Sequence, residues 1–334
     1  MTAATTMERP AQTGAALALE VAAVRSEARD VLCLELRAPG GGSLPPFAPG
    51  AHLELQLPNG LVRHYSLCNS AAESDRYVVG VGLSPNSRGG SRFVHDALRR
   101  GDVIRSSAPR NHFPLVQDAA AYRFVAGGIG VTPLLSMIHW CIDHGKPWRL
   151  HYCVRSRQRA AFFEVLRELD PGGSALHLHA DDEQGGRFFD PAEALSDLEP
   201  GEHVYCCGPA PLMQSVQRAS EGRPPETVHF EWFAAPAAPE SAPPAGGFEV
   251  KIRSTGASFK VAPEQSLLDA MEANGACVPW SCKEGLCGTC QTGVLSGRIE
   301  HRDGVLSAAQ RAANDVMLVC VSRGCAGEVL ELDL

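Results

Sequence analysis

Through the first hundred residues, apolar and polar positions alternate in short runs, the period of half-buried strands. These runs predict strands over residues 17–24, 31–37, 52–57, 61–67 and 77–83. Asn59-Gly60 marks a hairpin between two of them, because both residues tolerate positive φ at central turn positions. A single helical pattern interrupts the strands. Ser91 offers an N-cap, Phe93, Val94, Ala97 and Leu98 share a face, and Gly101 ends it. A small antiparallel barrel with one helix is the expected fold of this region.

From residue 122 the rhythm becomes strand, turn, helix. A buried run at 123–126 leads into Gly127-Gly128-Ile129-Gly130-Val131-Thr132-Pro133, after which Leu134, Leu135, Ile138, Cys141 and Ile142 recur at helical spacing up to Gly145. Strands at 149–154, 175–179 and 204–207 alternate with helices carrying Phe162, Phe163, Leu166 and Leu169, then Leu212, Met213 and Val216. Such alternation predicts a parallel sheet. Residues 234–247 are almost wholly Ala, Pro, Glu, Ser and Gly and read as a semi-stiff linker. Beyond it come strands at 248–253 and 257–261, then a helix at 264–274 with Leu267, Leu268 and Met271 inward and Gly275 as its stop.

Composition narrows the class. A chain of 334 residues with 44% hydrophobic content supports two or three domains with real cores. A net charge of -8 argues against a nucleic-acid partner, and no apolar run is long enough to span a bilayer. Residues 1–14 read as a disordered tail, and residues 15–24 lack the basic flank of a signal peptide. A cytoplasmic monomer is therefore expected, its twelve cysteines reduced or holding metal.

The densest chemistry lies near the C-terminus. Cys282, Cys287 and Cys290 follow C-x4-C-x2-C spacing, and Cys320 comes twenty-nine residues later. This is the ligand spacing of a plant-type [2Fe-2S] cluster. Gly285 and Gly288 allow backbone N–H groups to approach the sulfurs. Zinc is the rival, although structural zinc sites usually pair two C-x2-C elements. Cys277 and Cys325 fall outside the spacing and read as spare thiols.

Other motifs are weaker singly. Arg63-His64-Tyr65-Ser66-Leu67 groups a cation, an aromatic ring and a hydroxyl, and Arg88-Gly89-Gly90-Ser91 precedes a helix whose N–H groups suit a phosphate. The turn at 127–133 departs from G-x-G-x-x-G but can hold a diphosphate on backbone N–H groups. His177 and His179 alternate on a strand, with no third metal ligand nearby in sequence.

In this order the motifs resemble the ferredoxin-reductase superfamily, specifically the phthalate dioxygenase reductase and vanillate O-demethylase reductase family. The resemblance implies three modules: an antiparallel flavin-binding β-barrel at 15–116, a parallel-sheet nucleotide-binding domain at 117–233 and a plant-type ferredoxin of β-grasp fold at 248–334. It further implies that Arg63, Tyr65, Ser66 and Leu67 line the flavin, with Ser66 near its N5. Arg88, Gly89, Gly90 and Ser91 would take the phosphate of FMN. Gly127, Gly128, Gly130, Thr132 and Pro133 would hold the nucleotide, and Cys207, Gly208 and Pro209 would lie beside its nicotinamide. Glu231 would sit near the nicotinamide exit and Phe233 against the flavin, so Ser66, Cys207 and Glu231 are the expected catalytic set. Electrons would pass from NAD(P)H to FMN, to the cluster held by Cys282, Cys287, Cys290 and Cys320, and on to a terminal Rieske-type oxygenase.

Two other classes stay open: a stand-alone redox carrier or sensor, and a reductase acting directly on small acceptors. Nucleotide choice is also open. The strand at 150–154 is followed by Arg155-Ser156-Arg157 with no acidic side chain, so Arg155 could accept a 2′-phosphate. The family resemblance favours NADH.

Overall fold

The alternating runs fold as six strands: β1 (Leu17–Ala28), β2 (Val31–Arg37), β3 (His52–Gln56), β4 (Val62–Ser66), β5 (Tyr77–Gly82) and, after the helix α1 (Gly90–Asp96), β6 (Val103–Ser106). This computed structural model describes residues 17–84, 89–233 and 246–334. The tail expected at 1–14, linker residues 234–245 and Arg88 lie outside the described residues.

The six strands are antiparallel in the order β4-β3-β6-β1-β2-β5. A bridge between Leu67 and Val79, with the Cys68 N–H donating to the Val78 carbonyl at 3.0 Å, joins the two ends. The sheet thus closes on a core that includes Leu19, Leu34, Leu36, Leu53, Leu55 and Val79. Closure removes the exposed edges on which other chains could pair.

Local details depart from the expectations. The hairpin forms, but only Gly60 of the Asn-Gly pair has positive φ, and Leu57 N–H reaches the Leu61 carbonyl at 2.8 Å across a longer loop. β1 runs on to Ala28 because two register shifts let it bend with the barrel. The N-cap of α1 lies two residues before Ser91, at Gly89 with φ 91°, and the helix ends at Asp96 rather than reaching Gly101.

The following segment contains β7 (Ala121–Gly127), α2 (Val131–Asp143), β8 (Trp148–Val154), α3 (Phe163–Leu169), β9 (Leu176–Ala180), α4 (Pro191–Ala194), β10 (Glu202–Cys207), α5 (Ala210–Ala219) and β11 (Val228–Glu231). Its five strands are parallel in the order β11-β10-β7-β8-β9. Pro133 lies in the first turn of α2, where no N–H is missed. Ile142 is 41% exposed, one residue off the buried stripe that ends at Cys141. Phe162 is not helical but caps α3 at φ 57°, its N–H held by Glu27 Oε1 at 2.9 Å.

The C-terminal segment contains β12 (Phe248–Ile252), β13 (Ser258–Val261), α6 (Leu267–Ala273), β14 (Gln291–Ser296), β15 (Ile299–Glu300), α7 (Ala308–Ala313), β16 (Val316–Leu318), β17 (Arg323–Gly324) and β18 (Val329–Asp333). Its main sheet has the order β13-β12-β18-β14-β16, with β12 and β18 parallel. α6 is capped by Ser266, buries Leu267, Leu268 and Met271, and is followed by Gly275 at φ 78°. Packing divides the chain into two compact units, one spanning Ala16–Phe233 and one spanning Ala234–Leu334. Among the described residues no helix is long and apolar enough to cross a membrane.

Candidate functional site

Period-two alternation puts Arg63 and Tyr65 on one face of β4. Arg63 crosses the start of α1: a Cβ at Gly90 would come within 2.3 Å of its Nε. The N-cap of α1 is Gly89, which has no side chain with which to cap the helix. Ser91, expected as the cap, instead accepts from the Ser84 N–H at 3.3 Å. Burial pushes the Tyr65 phenol up to about 12, so it remains a donor. The Leu67 side chain lies wholly inside the barrel core, which leaves only its backbone for a ligand.

In the parallel sheet the chain builds β8 and β9 on one side of β7, then returns to place β10 and β11 on the other. Order therefore reverses between β7 and β10, and the crevice beyond the carboxyl ends of strands at such a point is where open α/β sheets bind ligands. The two turns at this point touch through glycines. A Cβ at Gly130 would lie 2.2 Å from the Cys207 carbonyl oxygen, and one at Gly127 would lie 2.4 Å from Pro209 Cδ. Thr132 and Pro133 are buried at the start of α2, with the Thr132 hydroxyl donating to the Ile129 carbonyl at 2.9 Å. The fold thus brings Gly127, Gly130, Cys207, Gly208 and Pro209, far apart in sequence, together at this switch point.

Parallel pairing sets Glu231 beside Cys207, and the Ser66 hydroxyl of the barrel donates to Glu231 Oε2 at 3.5 Å. Ser66, Cys207 and Glu231 therefore converge at the end of β10. Burial pushes the Glu231 carboxyl up to about 8, opposed in part by the Ser66 hydrogen bond, so near neutral pH it holds a proton. Burial also pushes the Cys207 thiol well up, making it a neutral neighbour and not a thiolate nucleophile. Phe233, two residues past β11, is 40% exposed.

Arg155 is exposed beyond β8. Sequence order hides what lies beside it. Asp182 N–H donates to the Arg155 carbonyl at 3.2 Å, so an acidic run after β9, Asp181-Asp182-Glu183, stands against the turn that the local sequence makes purely basic. Its signal was a charge run next to a strand end. Among the described residues His177 and His179 belong to no metal-ligating group: His177 stacks on His151 with ring centroids 5.1 Å apart, and His179 Nε2 bonds the Arg187 carbonyl at 2.9 Å.

In the C-terminal unit the Cys282 and Cys287 sulfurs lie within 4.8 Å of each other. Cys320 follows β16, which pairs with β14, and β14 begins immediately after Cys290. Thiol contacts tie Cys282 to both Cys287 and Cys320, and Cys290 to Cys320. The Cys287 and Cys320 thiols are pushed up first by hydrogen bonding to Cys282, then by further sulfur contact and burial. Four closely packed sulfurs that resist joint ionisation fit a group whose positive iron stabilises thiolates. Gly285 and Gly288 take φ of 70° and 69°, and the Glu284 N–H already donates to Cys282 Sγ at 3.2 Å.

Asp303, which the sequence reading did not single out, is wholly buried behind this loop. Its Oδ1 accepts from the Val305 and Leu306 N–H groups at 3.0 and 2.8 Å, and its Oδ2 from the Ser322 hydroxyl at 3.5 Å. Next to it the Gly304 N–H donates to the Gly285 carbonyl at 3.0 Å. The Asp303-Gly304 pair thereby links the loop of three cysteines, through the Gly304 N–H, to the segment just past Cys320, through the Asp303 carboxylate and Ser322.

Comparison with known proteins agrees with both halves of this geometry. Residues 250–325 match the 2Fe-2S iron-sulfur cluster binding domain and residues 124–218 the oxidoreductase NAD-binding domain. The chain is 44% identical to phenoxybenzoate dioxygenase subunit beta of Ectopseudomonas oleovorans, over 97% of this chain and 99% of that protein. It is 40% identical to phthalate dioxygenase reductase of Burkholderia cepacia, over 95% and 97% of the two chains. A solved phthalate dioxygenase reductase, described as modular for electron transfer from pyridine nucleotides to [2Fe-2S], superposes with TM-score 0.71 at 39% identity, covering 96% of this chain and 98% of that one. An intact type IV self-sufficient cytochrome P450 monooxygenase superposes with TM-score 0.84 at 35% identity; it is a longer protein, of which this chain spans 43%. With a barrel, an NAD-binding sheet and four converging cysteines, and 39–44% identity over almost the whole length of the first three of these proteins, this chain is an oxidoreductase of the phthalate dioxygenase reductase family.

Proposed function

We propose that the chain draws electrons from NADH and delivers them through FMN and a [2Fe-2S] cluster to a terminal Rieske-type oxygenase. The observation that carries this reading is the meeting of Ser66 from the barrel with Cys207 and Glu231 from the sheet, at the point where strand order reverses. That arrangement suits a flavin on the barrel side facing a nicotinamide on the sheet side. In this reading 15–116 is the flavin domain, 117–233 the nucleotide domain, 234–247 a linker and 248–334 the cluster domain, in a cytoplasmic monomer.

When bound, the flavin takes a hydride from the nucleotide and gives up electrons singly, and the cluster relays them to the oxygenase. The protein's part is placement. Arg63 and the N–H groups at the start of α1, with Arg88, hold the flavin phosphate, and Tyr65, Ser66, the Leu67 backbone and Phe233 flank the ring. Gly127, Gly128, Gly130, Thr132, Pro133, Gly208 and Pro209 admit the dinucleotide to the crevice, and Arg155 borders its ribose. Neutral Cys207 packs by the nicotinamide without adding charge. Protonated Glu231 accepts the Ser66 hydroxyl at Oε2, which leaves Oε1 to carry its proton. Cys282, Cys287, Cys290 and Cys320 bind the cluster. The direction of transfer is downhill, since plant-type clusters lie near about -400 mV and Rieske centres at about -150 mV or above.

The test is analytical and functional. The purified protein should carry two iron and two labile sulfide per chain and release FMN on heating. With NADH it should reduce cytochrome c and restore product formation by a purified Rieske-type oxygenase. Release of FAD, or zinc in place of iron after anaerobic purification, overturns the assignment of cofactors. Dye reduction without oxygenase support overturns that of the partner.

A further inference from the structure

Three arginines line the turn that follows β8: Arg155, Arg157 and Arg159. Two are engaged by carboxylates from elsewhere in the fold. Arg157 makes a two-point fork on Glu183, Nε to Oε1 at 2.8 Å and Nη2 to Oε2 at 2.9 Å, and its guanidinium lies 5.5 Å from the Phe163 ring centroid. Arg159 pairs with Asp30 of the barrel at 2.8 Å. The turn is also pinned through its backbone, by Arg29 N–H to the Gln158 carbonyl at 2.8 Å and by Asp182 N–H to the Arg155 carbonyl at 3.2 Å.

This turn ends the strand adjoining the diphosphate crevice, on the side away from β10. In dinucleotide folds the adenine ribose rests at that position, where a carboxylate favours a free 2′-hydroxyl and an arginine favours a 2′-phosphate. On sequence alone the position is basic. In the fold its charge is offset by the acidic run after β9.

We propose that Glu183 is the nucleotide-specificity residue of this reductase: its fork on Arg157 withholds that guanidinium from a 2′-phosphate, selecting NADH over NADPH. The inference rests on the assignment of the crevice to the dinucleotide. Glu183 stays ionised near neutrality because its hydrogen bonds with Arg157 hold its carboxyl below the ordinary range. A fork with both partners planar is the geometry in which an exposed pair contributes most. Since the Glu183 side chain is 46% exposed, its removal leaves the fold intact.

The experiment compares full-length wild type, Glu183→Ala, Arg157→Ala and the double variant. Two readouts are kcat/KM for NADPH relative to NADH, and the affinity for 2′,5′-ADP relative to 5′-AMP by calorimetry. Wild type should prefer NADH. Glu183→Ala should raise both ratios about tenfold, or about 1.4 kcal/mol, and adding Arg157→Ala should return them to within threefold of the Arg157→Ala protein. A rise below threefold in Glu183→Ala, a gain that survives loss of Arg157, or a wild type that prefers NADPH overturns the proposal. Failure of either nucleotide to reduce the wild-type protein, with no binding of either adenylate, instead overturns the assignment of the crevice itself.

Discussion

The Ser66 hydroxyl and the Glu231 carboxylate, 165 positions apart in sequence, meet at 3.5 Å where the barrel faces the parallel sheet. The carboxyl is pushed up to about 8 from an ordinary 4.5, chiefly by burial. Over that window the folded protein keeps a proton that the unfolded chain has released. The stability is therefore fully present below about pH 4.5 and is lost as pH rises through about 8, by at most about 1.4 kcal/mol per unit. Relative to Glu231→Gln, which cannot ionise, wild type should lose denaturation midpoint steadily between these limits. Parallel pH profiles for the two proteins would show that the carboxyl is not buried in solution.

Gly130→Ala should impair nucleotide use selectively. Its new methyl would press on the Cys207 carbonyl oxygen and the Gly208 nitrogen, backbone atoms that cannot swing aside. Overpacking of this kind costs about 1–3 kcal/mol. The expected phenotype is a rise in KM for NADH of tenfold or more, with unchanged flavin and iron content.

Cys287→Ser and Cys320→Ser should each abolish the visible cluster spectrum and iron binding. NADH should still bleach the flavin in both, because the four cysteines lie in the unit spanning Ala234–Leu334 and the nucleotide crevice in the other. Stopped-flow absorbance separates the two events.

Asp303→Asn removes the charge facing Arg311 while nearly preserving shape. Weakening a fully buried, multiply bonded carboxylate costs about 1–3 kcal/mol. The cluster absorbance should bleach at a lower temperature or in milder denaturant than in wild type, with the flavin transition unmoved. Equal bleaching in the two proteins would remove Asp303 from the support of the cluster loop.

How much of this was legible depends on how local each signal is. The cluster ligands, the glycine turn and the helix α6 are written in contiguous residues, so spacing and periodicity reveal them. β6 escaped because it offers only Val103 and Ile104 as apolar residues, with Val103 itself 55% exposed; it is a strand because β1 and β3 flank it. Ser91 misled as a cap because Gly89 could adopt left-handed φ two residues earlier. Arg155-Ser156-Arg157 read as basic because the carboxylate partner of Arg157, Glu183, lies past the end of β9, 26 positions away. Asp303 gave no motif at all, since its role consists of contacts with Leu306, Arg311 and Ser322 that only folding assembles.

β18, the last of the described strands in the chain, occupies the middle of its sheet, between β12 and β14. During synthesis the barrel and parallel sheet are complete by Phe233 and can begin to fold while the remainder is still being made. The C-terminal sheet has no such freedom. Cys282, Cys287 and Cys290 leave the ribosome before the strand that joins their sheet together, so iron can be locked in place only after β18 has been made. A chain cut before β18 would thus keep the unit spanning Ala16–Phe233 and be unable to mature the one that holds the cysteines.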